Sequence, residues 1–345
     1  MILILSQAAM EPTTEEVMDW LEALGARSLR LNGDDLDSRA ALRISVDGGE
    51  VALRVEDVAA DGIALPLAEV GAVWFRRWML DRRCEMADVL EAPTADDHKL
   101  HYDLRRHLVQ ESRKLSDFVF SLFAGLPWLS HPRRSRLDKL DVLRRAARAG
   151  LATPATLVTT EREELRRFAE RCGGTVITKP IGDVDMFLDG ERSHFLFTTA
   201  LDAAAIAALP ERFAPSLFQE KVEKAYELRV FYLAGEPPEN YAMAIFSQSD
   251  PQTQTDFRRY NRERPNRTVP YRLPPATAER LRALLDDLGL ETGSIDLLKA
   301  TDGRQVFLEI NPVGQFGMVS KPCNYGLEKK VAELLIRKES DGRRA

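Results

Sequence analysis

The chain has 345 residues, of which 44% are hydrophobic and 30% charged, and its formal net charge is -6. This composition is typical of a soluble globular protein with two or three domains. No apolar run approaches the ~20 residues that span a bilayer, and Met1–Ser6 lacks the basic lead of a signal peptide, so we expect a cytoplasmic protein without membrane contact. The three scattered cysteines predict neither a disulfide framework nor a zinc site. The net negative charge argues against nucleic-acid binding.

The first 130 residues predict an α/β domain. A buried strand is followed by a helix that Thr13 and Glu16 open as a capping box, and another strand then completes a βαβ start. A long helix over residues 98–124 ends the domain. The strands are expected at residues 2–5, 28–32, 42–46, 51–55 and 72–75. We place the boundary near residue 130, where glycine and proline interrupt the pattern.

Residues 131–212 predict a second unit and residues 213–338 a third, followed by a flexible tail at residues 339–345. The second unit alternates helices with short strands, and the third begins with strands and ends with a helix over residues 327–336. The other predicted elements are helices at 138–150, 161–172 and 277–288, and strands at 154–158, 175–180, 217–222 and 227–233.

A hairpin near the C-terminus carries the clearest chemical signal. Two apolar runs flank Asp302-Gly303, a pair that predicts a two-residue turn. Such a turn pairs Thr301 with Arg304, and counting outward sets Asp296 opposite Glu309 and Ser294 opposite Asn311. Opposed carboxylates repel each other at this distance, so we expect a positive charge between them.

Oxygen ligands without a nearby histidine or cysteine suit a hard cation such as Mg²⁺, which also binds substrate phosphates. Asp296, Glu309 and Asn311 are therefore candidate metal ligands, and a nucleotide is the expected ligand. The alternative is an ordinary solvated hairpin. Against that alternative, the opposite face is predicted to belong to the core through Ile295, Leu297, Leu308 and Ile310.

Basic side chains elsewhere could meet an anion. Lys179 ends an apolar strand, Lys139 begins a helix, and Arg229 shares a strand face with Glu227. Six arginines with only one acid lie between residues 258 and 272, which favours a phosphate or an acidic partner, with a solvated loop as the alternative.

The order of these features resembles the ATP-grasp superfamily of carboxylate ligases from about residue 131 to residue 336. The resemblance implies an ATP-grasp fold of the α/β (α+β) class, with residues 1–130 as a pre-ATP-grasp domain. It also implies ATP and Mg²⁺ as cofactors. It assigns Lys139 and Lys179 to the phosphates, and the backbone of Glu220, Lys221 and Val222 to adenine. Glu227 is then similar to the acid that binds ribose. Arg229 is similar to the catalytic arginine near the transferred phosphate, where Lys179 also acts. Asp296, Glu309 and Asn311 are similar to the Mg²⁺ ligands.

Within the superfamily, three segments resemble the graspetide (microviridin-type) maturases, particularly the grasp-with-spasm branch. They are Trp74-Phe-Arg-Arg77, residues 266–274 and residues 309–325. This resemblance implies a ligase that phosphorylates Asp or Glu side chains of a ribosomal precursor peptide and joins them to Thr, Ser or Lys as ω-esters or ω-amides. Many ATP-grasp enzymes carry a glycine-rich flap after the second lysine, whereas this chain has only Gly182 and Gly190 there.

An acidic core peptide requires cationic guides, and we assign Arg258, Arg259 and Arg267 to this role. Relatives of this architecture often form homodimers. Two other functions remain open at this point: an ATP-grasp carboxylate-amine ligase acting on a small molecule or a protein terminus, and a nucleotide-binding module without catalysis.

Overall fold

A computed structural model describes residues 1–33, 40–57, 63–64, 66–78, 98–182, 187–189, 192–194, 196–235, 237–257, 259 and 261–343. The chain forms two compact units. The first combines Met1–Arg133 with Gly326–Ala345, and the second consists of Arg134–Tyr325. Both contain helices and sheets, so the predicted mixed architecture is confirmed. None of the helices in the described part of the chain combines the length and apolar character that crossing a bilayer demands.

The first unit is built on a four-stranded parallel sheet in the order β2-β1-β6-β7. Strand β1 is buried along its whole length, as its run of aliphatic residues predicts for a parallel strand covered on both faces. The helices of this unit are α1 (Pro12–Ala23) and α2 (His98–Ser121), and α1 buries Val17 and Leu21. The strands are β1 (Ile2–Ser6), β2 (Ser28–Asn32), β6 (Ala72–Phe75) and β7 (Trp128–Leu129).

A separate antiparallel sheet in this unit consists of β3 (Ala40–Asp47), β4 (Glu50–Asp57) and β5 (Ile63–Ala64). Its first two strands, which contain the predicted strands 42–46 and 51–55, form a hairpin with Asp47 opposite Glu50. Gly48 and Gly49 form the turn at φ values of +56° and +92°. Two successive positive φ angles define the primed turn that matches the twist of a hairpin, and glycine adopts them without strain.

The last helix, α8 (Leu327–Gly342), belongs to the first unit and is longer than predicted. The sequence placed its end at residue 336 because the residues that follow are polar. One of these, Glu339, accepts a hydrogen bond of 2.6 Å from the N-terminal ammonium group of Met1. This ion pair ties the end of α8 to the start of β1, so residues 339–342 are helical rather than part of a free tail.

The second unit contains a four-stranded antiparallel sheet in the order β12-β9-β13-β8. Helices α4 (Arg162–Arg171) and α5 (Ala203–Ala207) pack on it through Leu165, Phe168 and Ile206. Its strands are β8 (Thr156–Glu161), β9 (Val176–Lys179), β12 (Thr199–Leu201) and β13 (Arg212–Glu220). A two-stranded hairpin, β10 (Phe187–Asp189) and β11 (Arg192–His194), follows β9.

A five-stranded antiparallel sheet in the order β16-β15-β14-β17-β18 forms the rest of the second unit. Helices α3 (Lys139–Arg148) and α6 (Pro275–Leu288) cover one face, where Val230, Ile295 and Phe307 are fully buried. The opposite face carries charged side chains. The strands are β14 (Lys224–Leu233), β15 (Glu239–Ile245), β16 (Thr268–Tyr271), β17 (Thr292–Ala300) and β18 (Gln305–Asn311), and the short helix α7 (Gly317–Cys323) follows. The predicted division of this unit into residues 131–212 and 213–338 stays a prediction.

Gly314, in the turn between β18 and α7, packs too closely against β17 to accept a side chain. A Cβ atom at this position would lie 2.5 Å from Ser294 Cβ and 2.7 Å from Ser294 Oγ. We expect Gly314→Ala to lower the free energy of unfolding by about 1–3 kcal/mol, the usual cost of overpacking. Urea unfolding measures this loss, and Gly182→Ala is the control because nothing lies within 4 Å of its Cβ position. Equal midpoints for the two variants would contradict the expectation.

Candidate active site

The hairpin of β17 and β18 sets the two acids side by side. Asp296 pairs with Glu309 and Ser294 with Asn311, as the sequence predicted. The predicted turn is nevertheless wrong, because Ala300 rather than Thr301 closes the hairpin: its N–H donates to the carbonyl of Arg304 at 2.9 Å. The loop therefore has three residues, and Gly303 ends it at a φ of +90°.

A β-bulge compensates for the longer loop. Asp296 pairs with Glu309 but Leu297 pairs with Phe307, so Leu308 is the extra residue on β18. One extra residue reverses the face on which the neighbouring side chains lie. Phe307 consequently joins the core, whereas Leu308, predicted to lie there, packs on the opposite side against Leu298, Ala300 and Val306.

Two lysines converge on Glu309. Lys179 at the end of β9 lies 3.4 Å from Glu309 Oε2, and Lys139 lies 3.7 Å from the same oxygen and donates to the carbonyl of Pro180 at 3.1 Å. Lys139 reaches this point because Asp138 caps α3, accepting a hydrogen bond from the N–H of Asp141 at 2.8 Å. The Lys179 side chain is only 10% exposed. Burial and the neighbouring Lys139 ammonium group lower the pKa of Lys179, and Glu309 opposes this shift.

Arg229 on β14 pairs with Asp296 on β17. The two residues are direct neighbours in the sheet, and Nη1 of Arg229 donates to both carboxylate oxygens of Asp296. Their side chains are 14% and 20% exposed. Burial raises the pKa of Asp296, with Glu309 acting in the same direction, whereas the Arg229 guanidinium opposes the rise. The Arg229 guanidinium therefore compensates the charge of Asp296, which is more buried than Glu309.

Glu227 lies two residues from Arg229 on the same face of β14 and is held by two donors. Lys224 Nζ lies 2.6 Å and Ser247 Oγ 2.7 Å from the same oxygen, Oε1. No other described residue donates to the Glu227 carboxylate, so Oε2 remains available to a ligand. Burial raises the pKa of Glu227 and Lys224 opposes the rise. The sequence did not single out Lys224 or Ser247, since neither is distinctive without the fold.

The connection from β13 to β14 brings residues 220–222 to the same region. Glu220 is fixed to the start of β8, because its N–H donates to the carbonyl of Ala155 at 2.9 Å and its carboxylate accepts from the N–H of Ala155 at 3.2 Å. Lys221 forms an ion pair of 3.6 Å with Glu223. Val222 packs on the apolar patch of the hairpin formed by Leu298, Ala300, Val306 and Leu308. Leu298, Ala300 and Val306 are buried in this cluster, whereas Val222 and Leu308 are partly buried.

The ligands available for a divalent ion are two carboxylates and one amide oxygen. Asn311 is exposed, and its Oδ1 accepts a hydrogen bond of 3.1 Å from the N–H of Val313, which leaves a second lone pair. No group of three or more His, Cys, Asp or Glu side chains suited to a metal occurs in the described residues. This donor set fits Mg²⁺, which typically takes one or two carboxylates and completes its shell with water and phosphate oxygens.

The charges of this cluster favour a polyphosphate. Asp296 and Glu309 contribute two negative charges, whereas Arg229, Lys139 and Lys179 contribute three positive charges at contact distance. A divalent ion between the two acids would raise the excess of positive charge further. Charge-assisted contacts from lysine and arginine are the usual means of binding phosphate.

Comparisons with known proteins show which folds the chain resembles. Residues 1–136 match the family model described as the MvdD pre-ATP-grasp domain. The macrocyclase MdnC of Microcystis aeruginosa MRC, solved with its precursor peptide MdnA, is 26% identical with a TM-score of 0.76. The match covers 97% of this chain and 99% of MdnC. The chain has the fold of the ATP-grasp ligases.

Two further structures share this fold. One is a RiPP-associated ATP-grasp ligase of Chryseobacterium gregarium in complex with ADP and a leader and core peptide. It is 24% identical with a TM-score of 0.78, and the match covers 98% of this chain and 96% of that ligase. PsnB, complexed with minimal precursor, Mg and ADP, is 20% identical, with coverage of 98% and 97% and a TM-score of 0.68. No curated protein sequence matches the chain.

These comparisons confirm the predicted ATP-grasp fold, the pre-ATP-grasp domain and the resemblance to graspetide maturases. The grasp-with-spasm branch stays a prediction. The roles of individual residues also stay predictions, although the fold brings together Lys139, Lys179, Arg229, Asp296 and Glu309.

The arginines assigned to the substrate lie apart from this cluster in the sequence. Arg259 and Arg267 are both exposed, and their guanidinium groups stack on the rings of Phe197 and Phe246, each at 5.2 Å from the ring centroid. Arg258 lies outside the described residues. Two exposed cationic groups are therefore each placed against an aromatic ring.

Proposed function

We propose that the ligase is an ATP-dependent peptide macrocyclase. It phosphorylates Asp or Glu side chains of a ribosomal precursor peptide, forms ω-esters or ω-amides with Thr, Ser or Lys side chains, and releases ADP and phosphate. The observation that carries this proposal is the convergence of Lys139, Lys179 and Arg229 on the opposed acids Asp296 and Glu309. The full-length similarity to a peptide macrocyclase supports the substrate class.

The nucleotide would bind between these charged groups and the apolar patch next to Val222. Lys139 and Lys179 bind the phosphates, the backbone of Glu220, Lys221 and Val222 pairs with adenine, and Glu227 accepts from the ribose hydroxyls through Oε2. Asp296, Glu309 and Asn311 hold Mg²⁺. When bound, this ion neutralises charge on the phosphates and orients them for transfer.

The chemistry divides into two steps. A carboxylate of the precursor attacks the γ-phosphorus of ATP, the bond to ADP breaks, and an acyl phosphate forms. A hydroxyl or amine of the same peptide then attacks the acyl carbon, loses its proton and displaces phosphate. Arg229 and Lys179 stabilise the negative charge of the transferred phosphoryl group, an electrostatic role that requires groups already fixed in position. The ion pair of Arg229 with Asp296 fixes the guanidinium in this way.

Mass spectrometry of a precursor incubated with the ligase, ATP and Mg²⁺ tests this function. Ring closure removes one water per bond and releases one ADP, so loss of mass in proportion to ADP supports the proposal. A gain in mass would instead indicate the joining of a second molecule, as in a ligase for small molecules or protein termini. ATP binding without precursor-dependent ADP release would indicate a nucleotide-binding module.

We propose an acidic core in the precursor, guided by Arg258, Arg259 and Arg267. Changing all three to Ala should raise the KM for the precursor roughly tenfold or more at unchanged kcat, since exposed ion pairs contribute about 0.5–1 kcal/mol each. The loss should shrink at high salt. The control is a triple variant that combines Arg136→Ala, Arg171→Ala and Arg212→Ala. It makes the same change in charge at exposed positions. Unchanged cyclisation at limiting precursor would exclude this role.

Two further proposals concern the setting of the enzyme. A cytoplasmic location follows from the need for ATP and for a newly made peptide. A homodimer is proposed from the resemblance to graspetide maturases, and the mass of the purified ligase in solution tests it directly.

A further inference from the structure

We infer that Ser247 and Thr253 are positioning residues that couple the nucleotide subsite at Glu227 to the arginine-bearing loop, defined here as residues 247–257 together with Arg259. The inference rests on the proposed function and deepens it. In this arrangement the same carboxylate that receives the ribose also anchors the segment that carries the peptide-binding Arg259. Nucleotide binding then orders the loop, and the loop in turn favours nucleotide binding.

The coupling begins at the buried hydroxyl of Ser247. Its side chain is fully inaccessible to solvent, and its Oγ donates to Glu227 Oε1 at 2.7 Å. Lys224 forms a second link, because its ammonium group lies 2.6 Å from the same oxygen and 3.4 Å from the carbonyl of Thr255 within the loop. Both donors that hold Glu227 therefore belong to the loop or contact it.

Thr253 extends the connection into the loop. It is also fully inaccessible, and its Oγ1 lies 2.8 Å from the carbonyl of Ser247, 3.2 Å from that of Asp250 and 3.1 Å from Oδ1 of Asn266. A hydroxyl has one proton to donate, so these three oxygens compete for it. A movement of one of them therefore changes the hydrogen bonding of the other two. Thr253 thus joins both ends of the polar segment between β15 and β16.

The loop then reaches the segment that follows the hairpin of β10 and β11. Asp256 is buried and accepts a hydrogen bond of 3.2 Å from the N–H of Thr198, and its carbonyl accepts from the N–H of Arg259 at 3.1 Å. The Arg259 guanidinium stacks on Phe197. Hydrogen bonds therefore join Glu227 to Ser247 and Ser247 to Thr253, and the chain from Thr253 leads to Asp256, which contacts Thr198 and Arg259.

A ligand that binds a carboxylate restricts its rotation. Since Glu227 Oε1 is shared with Ser247 and Lys224, ribose hydroxyls on Oε2 would fix both donors and reduce the opening of the loop. Such a coupling is reciprocal: a peptide that holds the loop closed must raise nucleotide affinity by the same factor. The polar residues of the loop are then required for more than solubility, which explains why Ser247 and Thr253 are buried.

Hydrogen exchange of the full-length ligase with and without ADP and Mg²⁺ tests the inference. For the unchanged chain we expect ADP to slow exchange of the amides in residues 250–257 roughly 5- to 150-fold, the usual range of coupling between sites. In Ser247→Ala and Thr253→Val the same amides should exchange at equal rates with and without ADP. ADP affinity, measured by calorimetry, should stay within about tenfold, since one hydrogen bond is lost.

Conservative variants separate coupling from a general loss of structure. Thr253→Ser keeps the hydroxyl and should keep the ADP-dependent protection. Ser249→Ala should also behave as the unchanged chain, because Ser249 is exposed and its hydroxyl, among the residues that the structure describes, donates only to the carbonyl of Phe246. If ADP protected the loop in Ser247→Ala, the inference would be overturned. It would also be overturned if the unchanged chain bound ADP without protection of the loop, and in both cases the proposed function would stand. Failure of the unchanged chain to bind ADP would overturn the proposed function as well.

Discussion

Changing Glu309 to Gln should reduce kcat by roughly 10²- to 10⁴-fold, the range expected when charge stabilisation by a bound metal worth several kcal/mol is lost. The substitution removes one of the two anionic ligands proposed for Mg²⁺. It also leaves Lys139 and Lys179 without the carboxylate that both contact. The Mg²⁺ concentration needed for half-maximal activity should rise at the same time.

Precursor-dependent ADP release at saturating ATP, followed over a Mg²⁺ titration, measures both effects. Glu223→Gln provides the matched control, because Glu223 carries the same charge in the same unit but its side chain is 76% exposed and, within the described part of the chain, forms an ion pair with Lys221 alone. The control should retain full activity. If Glu309→Gln kept more than about a tenth of kcat, the proposed ligand role would be wrong.

Changing Arg229 to Ala should impair both stability and catalysis. Removal of one partner from a largely buried ion pair typically costs about 3–5 kcal/mol, because the remaining charge is left uncompensated. The side chains of Arg229 and Asp296 are 14% and 20% exposed, so we expect the lower end of that range. We also expect kcat to fall roughly 10²- to 10³-fold, since the cation near the transferred phosphoryl group is lost.

A double-mutant cycle separates the two effects. In the background of Asp296→Asn no carboxylate is left uncompensated, so Arg229→Ala should then cost much less stability, measured by chemical unfolding. Activity should not recover in the double variant. An Arg229→Ala protein with unchanged stability and kcat within about threefold would rule out both roles.

The sequence located the acid pair because hairpin geometry is a local property. The prediction nevertheless assumed a two-residue turn, and the pairing of Asp296 with Glu309 holds only because the bulge at Leu308 offsets a three-residue loop. Bulges of this kind leave little signal in a single sequence. The same bulge explains why Leu308 was assigned to the core in place of Phe307.

Elements with weak local signals were missed. Strands β10 and β11 are three residues each, β16 contains a proline, and α7 contains Pro322, so neither periodicity nor propensity identified them. The partners of Glu227 were missed for a different reason. Ser247 is 20 residues away in the chain, and only the pairing of β14 with β15 brings it to the carboxylate.

The anomalous scattering of Mn²⁺ in crystals grown with ADP tests the central claim most directly, because Mn²⁺ accepts the same oxygen ligands as Mg²⁺. We predict an anomalous peak between the carboxylates of Asp296 and Glu309, at about 2.0–2.2 Å from an oxygen of each and in contact with the ADP phosphates. A peak on the phosphates but away from both carboxylates, with Arg229 still bound to Asp296 and the lysines still on Glu309, would contradict the account.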